Sequence, residues 1–427
     1  MLLARLLDHL IVFGTLNVTD ADGTRHVFTG RPGPEITVRL HDRTLHRKLF
    51  FNPRLALGEA YMDGTLTVED GGTIYDFLDL AAANAALAPR HPMRPLYNGF
   101  GRFLRELRQF NPLGRARENV AHHYDLSPAL YDLFLDADKQ YSCAYFASPG
   151  DDLETAQYNK KVHLASKLRL SPGQRVLDIG CGWGGLAIYL AKECGVEVTG
   201  LTLSEEQHKI AEQRARDAGV ADRARFLLRD YRQETGIYDR IVSIGMFEHV
   251  GVLHYRQFFR QVRDRLAPDG IALLHAIGRS DGPAQTNPWI RKYIFPGGYS
   301  PALSEVLPVV ERTGLWATDV EILRLHYAET LRAWRERFMA NREQAKRLYD
   351  ERFCRMWEFY LAASEVAFRR MGHIVFQIQL ARSVDTAPLT RDYMIEWERS
   401  RQRRPAGDAE APAAAEAKAG GDAERAA

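Results

Sequence analysis

From Arg175 onward, short runs of β-branched and aliphatic residues alternate with stretches whose apolar positions recur at helical spacing. The runs RVLDIG, VEVTGLT, ARFLLRD, YDRIVSIG, GIALLHAIG, TDVEILRLH and HIVFQIQLAR predict strands. Most are separated by amphipathic segments: GGLAIYLAKEC, SEEQHKIAEQRARDAG, YRQFFRQVRDRL, PALSEVLPVVERTG and a long helical stretch from Glu329 to Arg370. Such alternation builds a largely parallel sheet covered by helices on both faces. The last two strands lack a recognisable crossover between parallel neighbours, which predicts an antiparallel pair at one edge.

Residues 1–115 have a different texture. Strand-like pieces there are broken by the turn-forming stretches DADG, RPGPE and MDGT before a helical TIYDFLDLAAANAAL, a pattern that predicts a separate small α+β domain. Residues 116–400 would form the catalytic α/β domain. Residues 401–427 contain almost no large apolar side chain, cannot offset their ordering entropy and predict a disordered tail. In the opening MLLARLLDHLIVFG, Asp8 and His9 interrupt the apolar run and no small-residue cleavage site follows, so a first helix is expected rather than a signal peptide. No apolar run reaches the length that spans a bilayer.

Composition narrows the function classes. With 427 residues, 45% of them hydrophobic, the chain can build a large core, and its formal charge of +2 gives no overall attraction for nucleic acid. The four cysteines, Cys143, Cys181, Cys194 and Cys354, have no paired C-x-x-C spacing and suit a reducing, cytoplasmic setting.

The first strand of the α/β domain runs into a G-x-G-x-x-G loop through Gly180, Gly182 and Gly185, with Gly184 alongside. Dinucleotide and S-adenosylmethionine (SAM) sites both need such glycines, because the backbone must turn tightly and approach the ligand closely. Asp178 discriminates between them. A carboxylate at the strand tip would face the pyrophosphate of NAD, and like charges a few ångströms apart repel by roughly 4 kcal/mol at an effective dielectric near 20. SAM carries no phosphate and has a net positive methionine end. The second strand then ends GLTLSEEQ, where Thr202, Ser204 and Gln207 offer neutral hydrogen-bonding groups, while Glu205 and Glu206 suit the first turn of a helix. A nicotinamide dehydrogenase becomes the remote alternative.

The segments HHYDLSPALYDLFLDADKQYSCAYF, VLDIGCGWGGLA, GLTLSEEQ, DRIVSIGMFEHVG, FFRQVRDRLAPDGIALLHAIG, WIRKYIFPGGYSP, HYAETLRAW and FYLAASEVAFRR resemble, in order, the cyclopropane-fatty-acyl-phospholipid synthase family and its mycolic acid cyclopropane synthase relatives. NPRLALGEAYMDGTL resembles the N-terminal domain of its longer bacterial members. The resemblance implies a Rossmann-like, seven-stranded SAM-dependent methyltransferase domain preceded by a small α+β domain. It also implies transfer of the SAM methyl carbon to a cis double bond of an unsaturated phospholipid acyl chain, with bound bicarbonate as the base that allows ring closure.

The family's bicarbonate-holding positions fall on Cys143, Glu248, His275, the backbone at Ile277, and Tyr327. Its SAM-binding positions fall on Tyr141, Ser142, Asp178, Gly180, Gly182, Gly184, Thr202, Gln207, Asp230 and Tyr231. Each has a plainer reading. Cys143 could be a small buried hydrophobe, His275 a satisfied core histidine, and Tyr327 a packing residue. Tyr231 could be an ordinary surface aromatic. Of the neighbours Glu248 and His249, only one should face the pocket, with His249 expected to be the structural member. Trp183, Tyr124, Phe134, Tyr145, Phe146 and Phe247 are candidates to line an acyl channel and stabilise a transient cation. Ser364 stands where many members carry a cysteine, which leaves a methyl-branched or methylene product open beside the ring. A non-catalytic lipid-binding module is the alternative from another class.

An enzyme acting on bilayer lipid must reach the membrane surface. Phe100, Phe103, Leu104 and Leu107 share a helical face, with Arg102, Arg105 and Arg108 elsewhere on the helix, a pattern that fits an interfacial helix or a packed linker helix equally. Peripheral attachment at the inner face of the membrane is expected, with homodimerisation left open.

Overall fold

A computed structural model describes residues 2–87 and 126–403. The N-terminal unit opens with a helix, Leu2–Leu10, followed by strands β1 (Phe13–Thr19), β2 (Arg25–Thr29) and β3 (Arg31–Leu40), with β4 (Leu66–Glu69) after two short helices. These strands form a sheet in the order β2-β1-β3-β4, in which β1 and β3 are parallel and the other pairings antiparallel. The helix Ile74–Leu87 is fastened to β1 by the buried Asn84. Its Oδ1 accepts from the backbone N–H of Val12 at 2.8 Å and Phe13 at 2.9 Å, and its Nδ2 donates to the carbonyls of Phe13 and Leu80. One amide thus satisfies groups that burial would otherwise leave unpaired.

The seven remaining strands are β5 (Arg175–Ile179), β6 (Glu197–Thr202), β7 (Ala224–Leu228), β8 (Tyr238–Ile244), β9 (Leu266–Arg279), β10 (Trp316–Leu323) and β11 (His373–Ala381). Their order is β10-β11-β9-β8-β5-β6-β7. The pairings from β9 through β7 are parallel. The expected antiparallel pair is present, but β11 lies inside the sheet, antiparallel to both β9 and β10, and only β10 is at the edge. Sequence order reverses between β5 and β8, which makes the carboxyl ends of these strands the crevice where open α/β sheets bind ligands.

The expected long helical stretch is three helices, His326–Ala340, Arg342–Leu348 and Glu351–Arg370. Asn341 ends the first by donating from Nδ2 to the carbonyls of Leu133 and Arg337, and Asp350 caps the third by accepting from Phe353 N at 2.7 Å.

The two sheets are not independent bodies. One apolar cluster runs from Leu16, Val38 and Leu80 of the N-terminal unit to Phe134, Trp289, Trp334 and Trp357 of the larger one. The helix Glu351–Arg370 packs against both Pro53–Met62 and Ile74–Leu87. Arg370 pairs with Asp79 and Arg352 with Asp63, each at 2.8 Å. Gly58 permits the closest approach, since a Cβ there would lie 2.4 Å from Trp289 Nε1. Gly58→Ala is therefore expected to destabilise the folded chain by about 1–3 kcal/mol through overpacking, read as a fall in the urea midpoint.

Candidate active site

Nine of the ten expected cofactor positions border one cavity at the carboxyl ends of β5, β6 and β8: Tyr141, Ser142, Asp178, Gly180, Gly182, Thr202, Gln207, Asp230 and Tyr231. Gly184 does not border it. With φ of +79° it is the N-cap of the helix Gly185–Cys194, and a Cβ would meet Phe226 at 2.7 Å, so this glycine shapes the loop from behind. Trp183, Gly185, Met246, His249 and Arg229 also border the cavity.

Burial dominates the electrostatics here. Asp178 is 2% exposed, and desolvation alone pushes its carboxyl up to about 7. A cation arriving beside it would recover that cost. Thr202 Oγ1 donates to Gln207 Oε1 at 2.9 Å, which commits the Gln207 oxygen and leaves its NH2 as the donor. Asp230 is already satisfied: Arg232 donates to its two oxygens from Nε at 2.8 Å and Nη2 at 2.7 Å. Tyr231 both borders the cavity and packs edge-on against Phe258 at 5.5 Å.

The strap carrying Tyr141 and Ser142 is held from beneath by residues that sequence patterning did not single out. Lys160, with no exposed surface, donates to Gln140 Oε1 at 2.7 Å and to Ser142 Oγ at 2.8 Å, and burial lowers its ammonium to about 8. Gln157 Nε2 donates to the carbonyls of Gln140 and Ser142, while the hydroxyls of Tyr141 and Tyr360 meet at 2.8 Å. Lysines in a helix signal solvent by default, so only the fold shows that Lys160 turns inward.

None of the five candidate acid–base positions borders this cavity, although Cys143 and Glu248 are chain neighbours of Ser142 and His249, which do. Glu248 sits in the 3₁₀ turn Phe247–His249, and its Oε1 accepts from Ile277 N at 2.6 Å. Its Oε2 is buried without a hydrogen-bond partner among the described residues, and burial pushes the carboxyl up to about 7. His275, 2% exposed, is paired across the sheet with Gln377, and burial together with Lys160, Lys167 and His163 holds its pKa well below the ordinary imidazole range. The Tyr327 ring packs against Phe368 at 4.8 Å and Trp334 at 5.8 Å. Cys143 is 1% exposed, burial raises its thiol far above the ordinary range, and Sγ donates to Ala144 O at 3.3 Å. It is a neutral thiol. Ala144 N in turn donates to Thr330 Oγ1 at 3.0 Å, one turn beyond Tyr327 on the same helix.

Of the Glu248–His249 pair one residue alone borders this cavity, as expected, but it is His249, the member expected to be structural. Glu248 is instead held by Ile277 N, which donates to its Oε1. A 3₁₀ turn advances by about 120° per residue, so the two adjacent side chains point in different directions. Of the aromatic candidates, Trp183 and Phe134 join a cluster with Tyr131 and Tyr141, while Phe247 packs among Tyr255, Phe258 and Phe259 in the opposite core. Tyr145 stacks on His163 at 4.1 Å, and Phe146 N donates to His326 Nδ1 at 3.0 Å. Tyr124 and the segment from Phe100 to Arg108 lie outside the described residues.

The fold recurs in coclaurine N-methyltransferase, at a TM-score of 0.63 and 19% identity over 76% of this chain and 98% of that one, a likeness of fold alone. The family model and the relatives that the chain matches define the protein as an S-adenosylmethionine-dependent methyltransferase. More narrowly, the chain belongs to the mycolic acid cyclopropane synthetase family, whose profile matches residues 112–378. A second profile, described as a domain of unknown function (DUF7884), matches residues 3–89. The chain is 38% identical to the cyclopropane-fatty-acyl-phospholipid synthase of Escherichia coli (strain K12) over 350 residues, covering 82% of this chain and 88% of that protein. It is 37% identical to the tuberculostearic acid methyltransferase UfaA1 of Mycobacterium tuberculosis, covering 89% and 90%. Among solved structures, the cyclopropane synthase MmaA2 from Mycobacterium tuberculosis superposes with a TM-score of 0.59 at 35% identity, over 64% of this chain and 99% of that one.

Proposed function

We propose that the protein transfers the methyl carbon of SAM to the cis double bond of an unsaturated phospholipid acyl chain and closes a cyclopropane ring, with bicarbonate as the base. The observation that carries this reading is Glu248, a buried carboxyl with one oxygen fixed by Ile277 N and the other free of partners among the described residues. When bound, SAM supplies an electrophilic methyl carbon and bicarbonate supplies a base that alkylation does not consume. The new carbon bonds to one alkene carbon as the C–S bonding electrons leave with sulfur. Loss of a proton from that carbon then lets its electron pair close the ring on the neighbouring alkene carbon.

This chain's residues have to orient, exclude water and place a proton. Asp178 attracts the cationic methionine end, and the Gln207 NH2 and Thr202 give neutral hydrogen bonds. Glu248, His275, Tyr327, Cys143 and the Ile277 backbone would hold the bicarbonate, with Glu248 Oε2 the acceptor and His275 and Tyr327 the donors available to it. Tyr141 and Trp183, which border the cavity, offer aromatic rings to a cationic hydrocarbon, and Tyr131 and Trp334 pack against them. Residues 1–115 serve as the membrane-associated part, residues 116–400 as the catalytic part and residues 401–427 as a tail, with the enzyme working peripherally at the cytoplasmic face of the membrane. Among the described residues no helix is long and apolar enough to cross a bilayer.

A second reading, a methyl-branched or methylene product, is favoured by Ser364 on the helix Glu351–Arg370, one turn from Tyr360, and by the name of the UfaA1 relative. The test is incubation of the purified protein with vesicles of unsaturated phospholipid and methyl-labelled SAM, followed by mass spectrometry and proton NMR of the acyl chains. Gain of one CH2 with the upfield ring protons of a cyclopropane supports the first reading. The same gain with a methyl or methylene group on an olefinic carbon supports the second, and no labelled acyl chain overturns both.

A further inference from the structure

Behind His275 a chain of buried and half-buried polar groups crosses from the centre of the sheet to the C-terminal helix Asp392–Arg401. It begins with Gln377, which has no exposed surface and lies directly opposite His275 in the β9–β11 register. Gln377 Nε2 is 3.1 Å from His275 Nδ1, and Gln377 Oε1 accepts from Lys167 Nζ at 2.7 Å. Lys167 is 1% exposed and also donates to Glu321 Oε2. That oxygen meets His163 Nε2 at 2.8 Å, and His163 Nδ1 meets Glu398 Oε1 at 2.7 Å. Although burial opposes it, pairing with His163 and Lys167 holds the Glu321 carboxyl well below the ordinary range, so the chain contains a fixed negative charge that keeps the Lys167 ammonium in place.

From this geometry we infer that Gln377 is a positioning residue that locks His275 in its Nε2–H tautomer, with Lys167 setting the sense of the lock. An ammonium only donates, so it must face the oxygen of the Gln377 amide. The amide NH2 is then the group facing His275 Nδ1, and an NH2 only donates as well. Nδ1 must therefore be the unprotonated, accepting nitrogen. Burial beside Lys160, Lys167 and His163 keeps the ring neutral, which leaves its single proton on Nε2. His275 is thereby made a hydrogen-bond donor at its far nitrogen and prevented from acting there as a base. A histidine satisfied merely for packing would be served by either tautomer; this chain of charges permits one.

The inference rests on the proposed role of His275, and its test separates the two. In the full-length protein with 15N-labelled histidine, the His275 signals are identified by their loss in His275→Gln. At neutral pH we expect a pyridine-like shift at Nδ1 and a pyrrole-like shift at Nε2. Gln377→Glu places an acceptor opposite Nδ1 and is expected to move the proton there, with a fall in methyl-transfer kcat of roughly tenfold or more and SAM affinity unchanged by calorimetry. Gln377→Met removes the donor and is expected to give averaged shifts. A protonated Nδ1 in the wild-type ring overturns the lock, as do unchanged ring shifts in Gln377→Glu. If that variant does not fold, the wild-type spectrum and that of Lys167→Met, in which the averaged shifts are again expected, decide the matter alone. A locked ring combined with full activity in His275→Gln leaves the tautomer assignment standing and overturns the proposed role of His275.

Discussion

Glu248→Gln is expected to lower the methyl-transfer rate by roughly 10²–10⁴-fold, the range associated with loss of a positioned acid–base group, while SAM binding stays near wild type. The amide keeps an oxygen for Ile277 N, so the turn Phe247–His249 should hold its shape. It cannot take up a proton where Oε2 now stands unpartnered. The same substitution should make the protein more stable above neutral pH. In the folded chain the Glu248 carboxyl is raised to about 7, above its unfolded value, because burial disfavours the charge. The native state thus holds a proton that the unfolded chain releases at lower pH, and stability is lost as pH rises from the unfolded value through about 7. Glutamine never ionises and avoids the loss, which for a shift of this size is up to about 3 kcal/mol. Thermal unfolding at pH 8 should show a higher Tm beside the collapsed rate. A variant as active as wild type, or one destabilised at pH 8, would sink the assignment. Stability surrendered at a working site is an ordinary feature of enzymes.

The larger sheet was legible because parallel strands buried on both faces read as continuous apolar runs; in β5 every residue from Val176 to Ile179 is buried. The glycine loop, Asp178, Thr202 and Gln207 were legible for a related reason: their spacing is local, and local chemistry explains it. What sequence reading missed depends on contacts between distant segments. That β11 enters the sheet between β9 and β10 follows from packing that no local pattern encodes. The division of labour between Glu248 and His249 turns on a 3₁₀ turn too short to leave a periodic signature. Lys160 and Lys167 read as solvent-facing members of an ordinary helix, and only the buried carboxylate and amide partners from other elements explain why they lie inside. The small sheet was hardest to see, since β2 buries one residue of five and β3 begins with five exposed residues. Alternation cannot be read where half of a strand faces solvent.

Asp178→Asn is expected to weaken SAM binding by roughly tenfold to a hundredfold, the equivalent of ~1.5–3 kcal/mol for losing a charge-assisted contact. The wild-type affinity should carry the imprint of the same carboxyl. Burial raises Asp178 to about 7 in the free protein, so near neutral pH a large fraction of molecules hold it protonated and uncharged. A ligand with a positive methionine end binds the carboxylate form better, so binding draws the proton off. Below about pH 7 each further unit should therefore cost up to about a tenfold loss of affinity; well above it, affinity should level off. Calorimetry in buffers of different ionisation enthalpy measures the proton directly: near pH 7 wild type should release a substantial fraction of one proton on binding SAM, and Asp178→Asn should release much less. The thermal shift produced by saturating SAM should likewise be larger at pH 8 than at pH 6. Glu248 titrates in the same range, and the two carboxyls are told apart by ligand: SAM should take its proton from Asp178 in both wild type and Glu248→Gln. If proton release persists undiminished in Asp178→Asn, the cationic end of the cofactor lies against some other group, and the reading of the strand tip that first separated SAM from a dinucleotide fails with it.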